Sequence, residues 1–316
     1  MMEPQDHTPS TLDMYGSQSA LNPVGLGADL TLDLTLAMTI GFGMVFVGVM
    51  GIVWLAWRRD RPAGRWWVWS GGIVLPIAAI LVLMTASTAI LVASTRADDR
   101  ALVIDVTGYQ FWWDIVYDPG GIALRDANEL VLPAGRAVTL RLRSADVIHS
   151  FWVPSISGKM DMIPGRVNTL TIRPDTPGRY RGQCAEFCGL SHPRMAFEVV
   201  VLAPDDFDRW LVETQGEARD AAKPELLDGK QVFIDYGCPA CHEIRGVAEG
   251  GRLGPDLTRV GGRAALGAGM WRMNQGNLAG WIADVGDMKP GAQMPSYNHL
   301  SGPELRAVSA YLASLK

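Results

Sequence analysis

The sequence predicts a multidomain chain in three parts: a two-helix transmembrane hairpin, an all-β sandwich and a small all-α domain. Three observations carry this. Two long runs near the N-terminus hold no charged residue. A middle stretch alternates apolar and polar residues in short bursts punctuated by Pro and Gly. From about residue 228 the pattern turns helical around a C-x-x-C-H motif. The length of 316 residues itself suggests two or three domains. At 48% hydrophobic and 19% charged, the chain is too apolar to be disordered and too charged to be wholly membrane-buried. A net charge of −5, without a basic patch or P-loop, argues against a nucleic-acid partner.

Residues 34–57, LTLAMTIGFGMVFVGVMGIVWLAW, contain no formal charge over 24 positions. As a helix they span roughly 36 Å, enough for a hydrocarbon core of about 30 Å. Residues 66–95 are a second such run, with Pro76 as a kink inside it. The hairpin is assigned to residues 30–97. A cleaved signal peptide fits poorly, because the first run starts late, is too long and lacks a basic flank. The connection holds Arg58, Arg59, Arg61 and Arg65 against Asp60 alone. Residues 1–29 hold Glu3, Asp6, Asp13 and Asp29 and no Lys or Arg. The positive-inside rule therefore puts the short loop in the cytoplasm, with the N-terminal segment and everything after Arg96 on the outer face. Trp54, Trp57, Trp66, Trp67 and Trp69 cluster near the loop, as interfacial aromatics do.

Residues 98–202 read as the sandwich, with short strands such as ALVIDVTGYQFWWDIVY and MAFEVVVLAP. One strand is read as closing at His149 in DVIHSFWVP. Residues 203–227 turn polar and read as a short helix near 204–214 followed by a flexible linker. In 228–316, GNLAGWIADV is a middle helix and SGPELRAVSAYLASLK a capped final one, with Ser301 or Gly302, Pro303 and Glu304 at its start.

Only four cysteines occur, in two pairs. Cys238-x-x-Cys241-His242 reads as c-type haem attachment: two thiols add to the haem vinyl groups and the adjacent imidazole binds iron. A thioredoxin-like pair would follow a strand, and a zinc ribbon would need a second pair in the same domain. The second axial ligand comes from Met270, Met273, Met288 or Met294. Met294 is chosen because it lies on a loop before the last helix and precedes Pro295, with Met288 as rival. His/Met ligation suits electron transfer.

The other pair lies in GQCAEFCGLSHPRM, residues 182–195. Cys184, Cys188, His192 and Met195 offer thiolate, imidazole and thioether, the donor set of electron-transfer copper on a β-sandwich. Two cysteines on one loop can bridge two metal ions. His149 is the candidate second imidazole among only five histidines. A Cys184–Cys188 disulfide or a zinc ion remains the alternative.

Two spans followed by GYQFWWDIVY, DVIHSFWVP, KMDMIPGR and GQCAEFCGLSHPRM resemble subunit II of the haem–copper cytochrome c oxidases. GCPACH with QMPSY makes the chain similar to the variant with a fused cytochrome c domain. The resemblance covers about residues 30–316. It implies a cupredoxin fold, a class I cytochrome c domain and the binuclear copper centre CuA. Carried over by motif, the CuA ligands are His149, Cys184, Cys188, His192, Met195 and the backbone carbonyl of Glu186. The Glu186 side chain would reach a magnesium ion at the boundary with the catalytic subunit. Phe111, Trp112 and Trp113 correspond to the aromatic electron path, with Phe111 where family members fed by a separate cytochrome c usually have Trp. Family members also often carry a Glu early in the second span, whereas no Asp or Glu lies between Asp60 and Asp98 here.

The function implied is electron transfer in the bacterial inner membrane, from a periplasmic donor through haem c to CuA and on to haem–copper subunit I, which reduces O2 to water. No catalytic residue is expected in this chain itself. The alternatives are the equivalent subunit of a CuA-type nitric oxide reductase and, from another class, a membrane-anchored copper carrier. A carrier would gain nothing from the haem motif.

Overall fold

The computed structural model describes residues 18–58, 64–95, 101–117, 124–218 and 224–316. Expectations on Glu3, Asp6, Asp13, Arg59, Asp60, Arg61, Arg96 and linker residues 219–223 lie outside these. Helix α1, Leu26–Trp57, has 32 residues and would extend about 48 Å at 1.5 Å per residue. Its most apolar window has a mean hydropathy of 2.2, and none of that window is buried against the rest of the chain. A helix apolar all round suits a bilayer rather than a water-facing surface. The second apolar helix begins as α2, Arg65–Trp69, and continues as α3, Leu75–Thr95. A π turn, Ser70–Val74, joins them. Pro76 has no N–H to offer the Gly72 carbonyl and its ring crowds that turn. The widened turn beside it, in which the Leu75 N–H reaches the Ser70 carbonyl, accommodates the proline without breaking the span.

The middle domain is two five-stranded sheets packed face to face. One has the order β3-β2-β1-β5-β8, with β1 Leu102–Tyr109, β2 Trp112–Tyr117, β3 Leu124–Ala127, β5 Val138–Ser144 and β8 Asn168–Ile172. The other has the order β4-β10-β9-β6-β7, with β4 Glu129–Pro133, β6 His149–Trp152, β7 Met160–Met162, β9 Gly178–Cys184 and β10 Ala196–Leu202. Alternation places Ile104 and Val106 of β1 inside, while Asp105 points outward to Arg141 and Arg143 of the parallel neighbour β5. Trp113, Phe151 and Phe197 form the aromatic centre, with Trp113 and Phe197 centroids 4.9 Å apart. Gly182 makes room for that centre, since a Cβ there would fall 2.1 Å from the Phe197 ring.

One strand expectation needs correction. His149 opens β6 rather than closing the preceding strand. β5 stops at Ser144, where local side-chain bonds take over: the Ser144 hydroxyl bonds to Val147 O, and the Asp146 carboxylate accepts from the Val147 N–H at 2.7 Å.

The sandwich is also joined to the start of α1. The Val24 N–H donates to Ser155 O (2.7 Å), Ala28 N–H to Ile156 O (3.2 Å) and Asp175 N–H to Val24 O (2.8 Å). Gly25 is required by this close approach, because a Cβ would sit 2.8 Å from Ile156 O and 2.9 Å from Arg173 O.

Helix α4, Pro204–Thr214, lies on the sandwich through buried Phe207 and through Trp210, whose ring is 5.3 Å from Tyr117. The C-terminal domain has α5 Pro224–Asp235, a short hairpin of β11 Ala265–Leu266 and β12 Trp271–Arg272, then α6 Gln275–Ala283, α7 Val285–Met288 and α8 Gly302–Ser314. α5 begins before residue 228, with Pro224 at the first position, where a helix needs no N–H. α8 starts with a full capping box of Ser301 and Glu304. α5 and α8 cross in close contact over a core that includes Phe233, Val308 and Tyr311.

Candidate metal centres

One end of the second sheet gathers the first site. β6 begins with His149, β9 ends with Cys184, and the loop 185–195 carries Cys188, His192 and Met195 before β10 starts. The Cys184 N–H to Met195 O bond (2.8 Å) and the Ala185 N–H to Ser150 O bond (2.9 Å) close the loop onto the sheet. The two sulfurs lie 3.8 Å apart and are not joined as a disulfide. His149 Nδ1 is 3.8 Å from Cys184 Sγ, and His192 Nδ1 is 3.6 Å from Cys188 Sγ. Met195 Sδ lies 3.8 Å from Cys188 Sγ, and the Glu186 carbonyl lies 3.2 Å from Cys184 Sγ. His149, Cys184 and Cys188 are all buried and present ligand atoms within 4.8 Å of one another. Gly108 admits the His149 ring, since a Cβ there would fall 2.9 Å from its Cδ2.

The electrostatics of this cluster favour a cation. The hydrogen bond between the two thiols pulls Cys184 well below its ordinary range and, with burial and the neighbouring Cys184, pushes Cys188 up. Two adjacent thiolates are thus resisted until positive charge arrives between them. Burial opposes protonation of His149, yet the neighbouring Cys184 and Asp146 hold its pKa above the usual value. Asp146 Oδ1 is 2.8 Å from His149 Nε2, which leaves Nδ1 facing the sulfurs. Soft sulfur and imidazole donors at these spacings fit copper.

The second site is a cavity of about 450 Å³ in the C-terminal domain. Its wall includes Cys238, Cys241, His242 and Met294. α5 gives way at Gly237, in the left-handed region (φ 73°), to a tight turn that presents both thiols on one side. His242 Nδ1 donates to Pro255 O at 2.8 Å, so Nε2 is the nitrogen left for iron. Burial lowers the His242 pKa, which favours the neutral imidazole a metal ligand requires. Gly254 packs against that ring, since a Cβ there would lie 2.5 Å from its Cε1. Met294 and Met273 both line the cavity, whereas Met270 and Met288 do not. An apolar chamber with two thiols at its edge and a directed imidazole fits a covalently held haem.

Comparison with known proteins matches the domains that carry the two sites. The family described as "Cytochrome C oxidase subunit II, periplasmic domain" matches residues 117–203, and "Cytochrome c" matches residues 226–316. Cytochrome c oxidase subunit 2 of Alkalihalophilus pseudofirmus is 33% identical over 94% of this chain and 91% of its own length. The chain belongs to the cytochrome c oxidase subunit II family. The Bacillus subtilis relative of the same name is 29% identical over 94% of this chain and 92% of its own length. Among solved structures, the periplasmic domain of subunit II of the Bradyrhizobium japonicum cytochrome oxidase is 29% identical. It covers 38% of this chain and 96% of that one, with a TM-score of 0.36.

In this member of the subunit II family the sandwich supplies part of the haem-cavity wall, through Tyr109, Gln110, Phe111 and Trp112. Trp112 stacks on Tyr109 with centroids 4.6 Å apart. Trp113 is instead a core residue, its ring 6.3 Å from His149. Phe111 is buried between the copper-side loop and the C-terminal domain: a Cβ on Gly189 or Gly291 would lie 3.2 or 3.1 Å from its ring. Several bonds cross the junction. Lys289 Nζ, fully buried, donates at 2.7 Å to both Phe111 O and Gly267 O. The Ser191 hydroxyl donates to Pro290 O (2.7 Å), and Arg194 to Met288 O (2.9 Å).

Sequence reasoning missed Asp146 and Lys289. Asp146 left a signal, an acid three residues before a candidate metal-binding histidine. Lys289, in DMKPG, reads in sequence like any surface lysine.

Proposed function

We propose that this chain is the electron-entry subunit of a terminal respiratory oxidase in the bacterial inner membrane. It accepts electrons from a periplasmic donor at the C-terminal domain and delivers them through the sandwich to a haem–copper subunit I, where O2 is reduced to water. Two cofactor-shaped donor sets in one chain, with Phe111 and Lys289 packed between the domains that carry them, support this reading. When bound, haem c and a dinuclear CuA supply one-electron carriers with no group transfer.

The residues divide the work. Cys238 and Cys241 would hold a haem through thioether links, with His242 and Met294 as the residues offered to its iron. Cys184, Cys188, His149, His192, Met195 and the Glu186 carbonyl would hold the dinuclear copper centre. The Glu186 carboxylate, 3.7 Å from Lys159 Nζ, is the group that a magnesium ion at the subunit I boundary would take. Phe111 and Trp112 fill the space between the centres and exclude water from it. We divide the chain as 1–29 outer segment, 30–97 hairpin, 98–202 copper domain, 203–227 connector and 228–316 haem domain.

Metal analysis with electron paramagnetic resonance tests the central assignment. The expected result is two coppers per chain sharing one unpaired electron when oxidised. One copper, or zinc at Cys184 and Cys188, would refute it. Cys184→Ser should leave at most one poorly held copper while covalent haem stays in full yield.

A further inference from the structure

A buried cluster of alternating charge lies where the sandwich meets the C-terminal domain. Asp114 on β2 and Arg125 and Asp126 on β3 come from the sandwich. Arg245, Asp256 and Arg263 come from the other side. Three cations face three anions, the balance that burial demands of the five buried members, with Arg245 at the partly exposed edge. Arg263 Nη2 donates to Asp126 Oδ1 and to Asp256 O, both at 2.6 Å, and Arg245 Nη1 reaches Asp256 Oδ2 at 3.1 Å.

Arg263 is the member that lines the cavity itself, and Arg125 is the one that grips the loop beside it. Its Nε donates to Asp114 Oδ1 at 2.7 Å, which fixes the plane of the guanidinium. Its two terminal nitrogens then fork onto the segment ahead of Pro255: Nη1 to Gly251 O (3.4 Å), Nη2 to Arg252 O (3.3 Å) and to Gly254 O (3.2 Å). This segment wraps the proposed haem ligand. A Cβ on Gly251 would lie 2.5 Å from His242 O, and the next carbonyl after Gly254, that of Pro255, accepts the His242 Nδ1 proton. One arginine of the copper-binding domain is therefore a single peptide unit away from the bond that orients the imidazole of the other domain.

We propose that Arg125 is a positioning residue for the haem: from the sandwich, it fixes the 251–255 segment and hence the His242 ring, and its charge favours the reduced iron. The proposal rests on His242 being the haem ligand. Two physical effects combine. The forked contacts admit one orientation of the loop carbonyls, and so one hydrogen bond to Nδ1. A cation with little surrounding water also opposes the extra positive charge of ferric haem. The haem potential is then partly a property of the interface between the domains. It reaches its final value only when the C-terminal domain is seated on the sandwich.

The test uses the detergent-solubilised full chain with haem and copper loaded. Arg125→Gln should shift the haem midpoint potential downward and broaden the ferric haem paramagnetic resonance signal. Covalent haem content and the copper signal should stay as in wild type. Arg125→Lys keeps the charge without the fork, so the potential should largely recover while the broadening persists. If Arg125→Gln leaves both haem readouts at wild-type values and only lowers the melting temperature, the residue is a structural pair member and the proposal is overturned. Should Arg125→Gln fail to fold, Asp114→Asn decides. It frees the guanidinium and removes a negative charge, so the haem signal should broaden and the potential should rise. Unchanged values of both would overturn the proposal. Wild-type chain lacking covalent haem would overturn the parent reading and this one with it.

Discussion

At Lys289 an amine is held out of water by the two domains and bonded to one carbonyl from each. Burial lowers its pKa from 10.5 to about 7. Between those values the unfolded chain holds a proton that the folded chain has released, so this group makes stability rise with pH across the window. Below about pH 7 the penalty is complete, and above the ordinary lysine range it vanishes. Lys289→Met should abolish that slope and leave two carbonyls unpaired, at about 1–3 kcal/mol each. The wild-type melting temperature should therefore pull further ahead of the variant from pH 7 to pH 10, and a constant difference would refute the account. Met294→Ala should keep the haem bound through Cys238 and Cys241 but lower its potential, leaving copper spectra unchanged. The chemistry-bearing residues were legible because metals demand rare residue types at short spacings: two cysteine pairs, three of five histidines. Lys289 and Arg125 were not, because a lysine or arginine in a polar stretch carries no mark of which surface will later cover it.

Elements were legible where their local signals agreed. The box at Ser301–Glu304 and the apolar runs of the two spans were plain in the sequence, and both stand in the structure. The break between β5 and β6 was hidden because Ala145, Val147 and Ile148 look like strand interior, and only the side chains of Ser144 and Asp146 end the strand there. Gly229 is another unread position. Glycine inside a helix is unfavourable by about 1 kcal/mol against alanine, yet here a Cβ would meet Ala307 O at 2.1 Å. Gly229→Ala should therefore destabilise the C-terminal domain by about 1–3 kcal/mol despite better helix propensity. Thermal unfolding followed at the haem absorption band checks this, and a stabilised variant would show that α5 and α8 can separate at no penalty.

Across the whole molecule, the order of the three parts followed from hydropathy and motif alone, but their seating did not. The bonds that join sandwich to haem domain come from residues far apart in sequence, 94 positions for Arg194 and Met288 and 137 for Asp126 and Arg263, and no periodicity encodes them. Deleting residues 226–316 should leave copper in place, because its proposed ligands all precede Leu202. It should slow oxidation of a soluble donor several-fold or more, with Phe111→Trp restoring part of the rate. Equal turnover in the truncated chain would make the haem domain an accessory. A reporter fused at Gly64 should report cytoplasm, and a periplasmic signal would invert the topology. The stitching of Val24, Gly25 and Ala28 to the sandwich has a mechanical corollary. A helix turns about 100° and advances about 1.5 Å with every residue. One alanine inserted just after Gly25 would swing the metal-bearing end of the sandwich around the span by more than a quarter turn. The residue count of that stem thus acts as a compass bearing, aiming the copper at one azimuth over the membrane before any other subunit arrives.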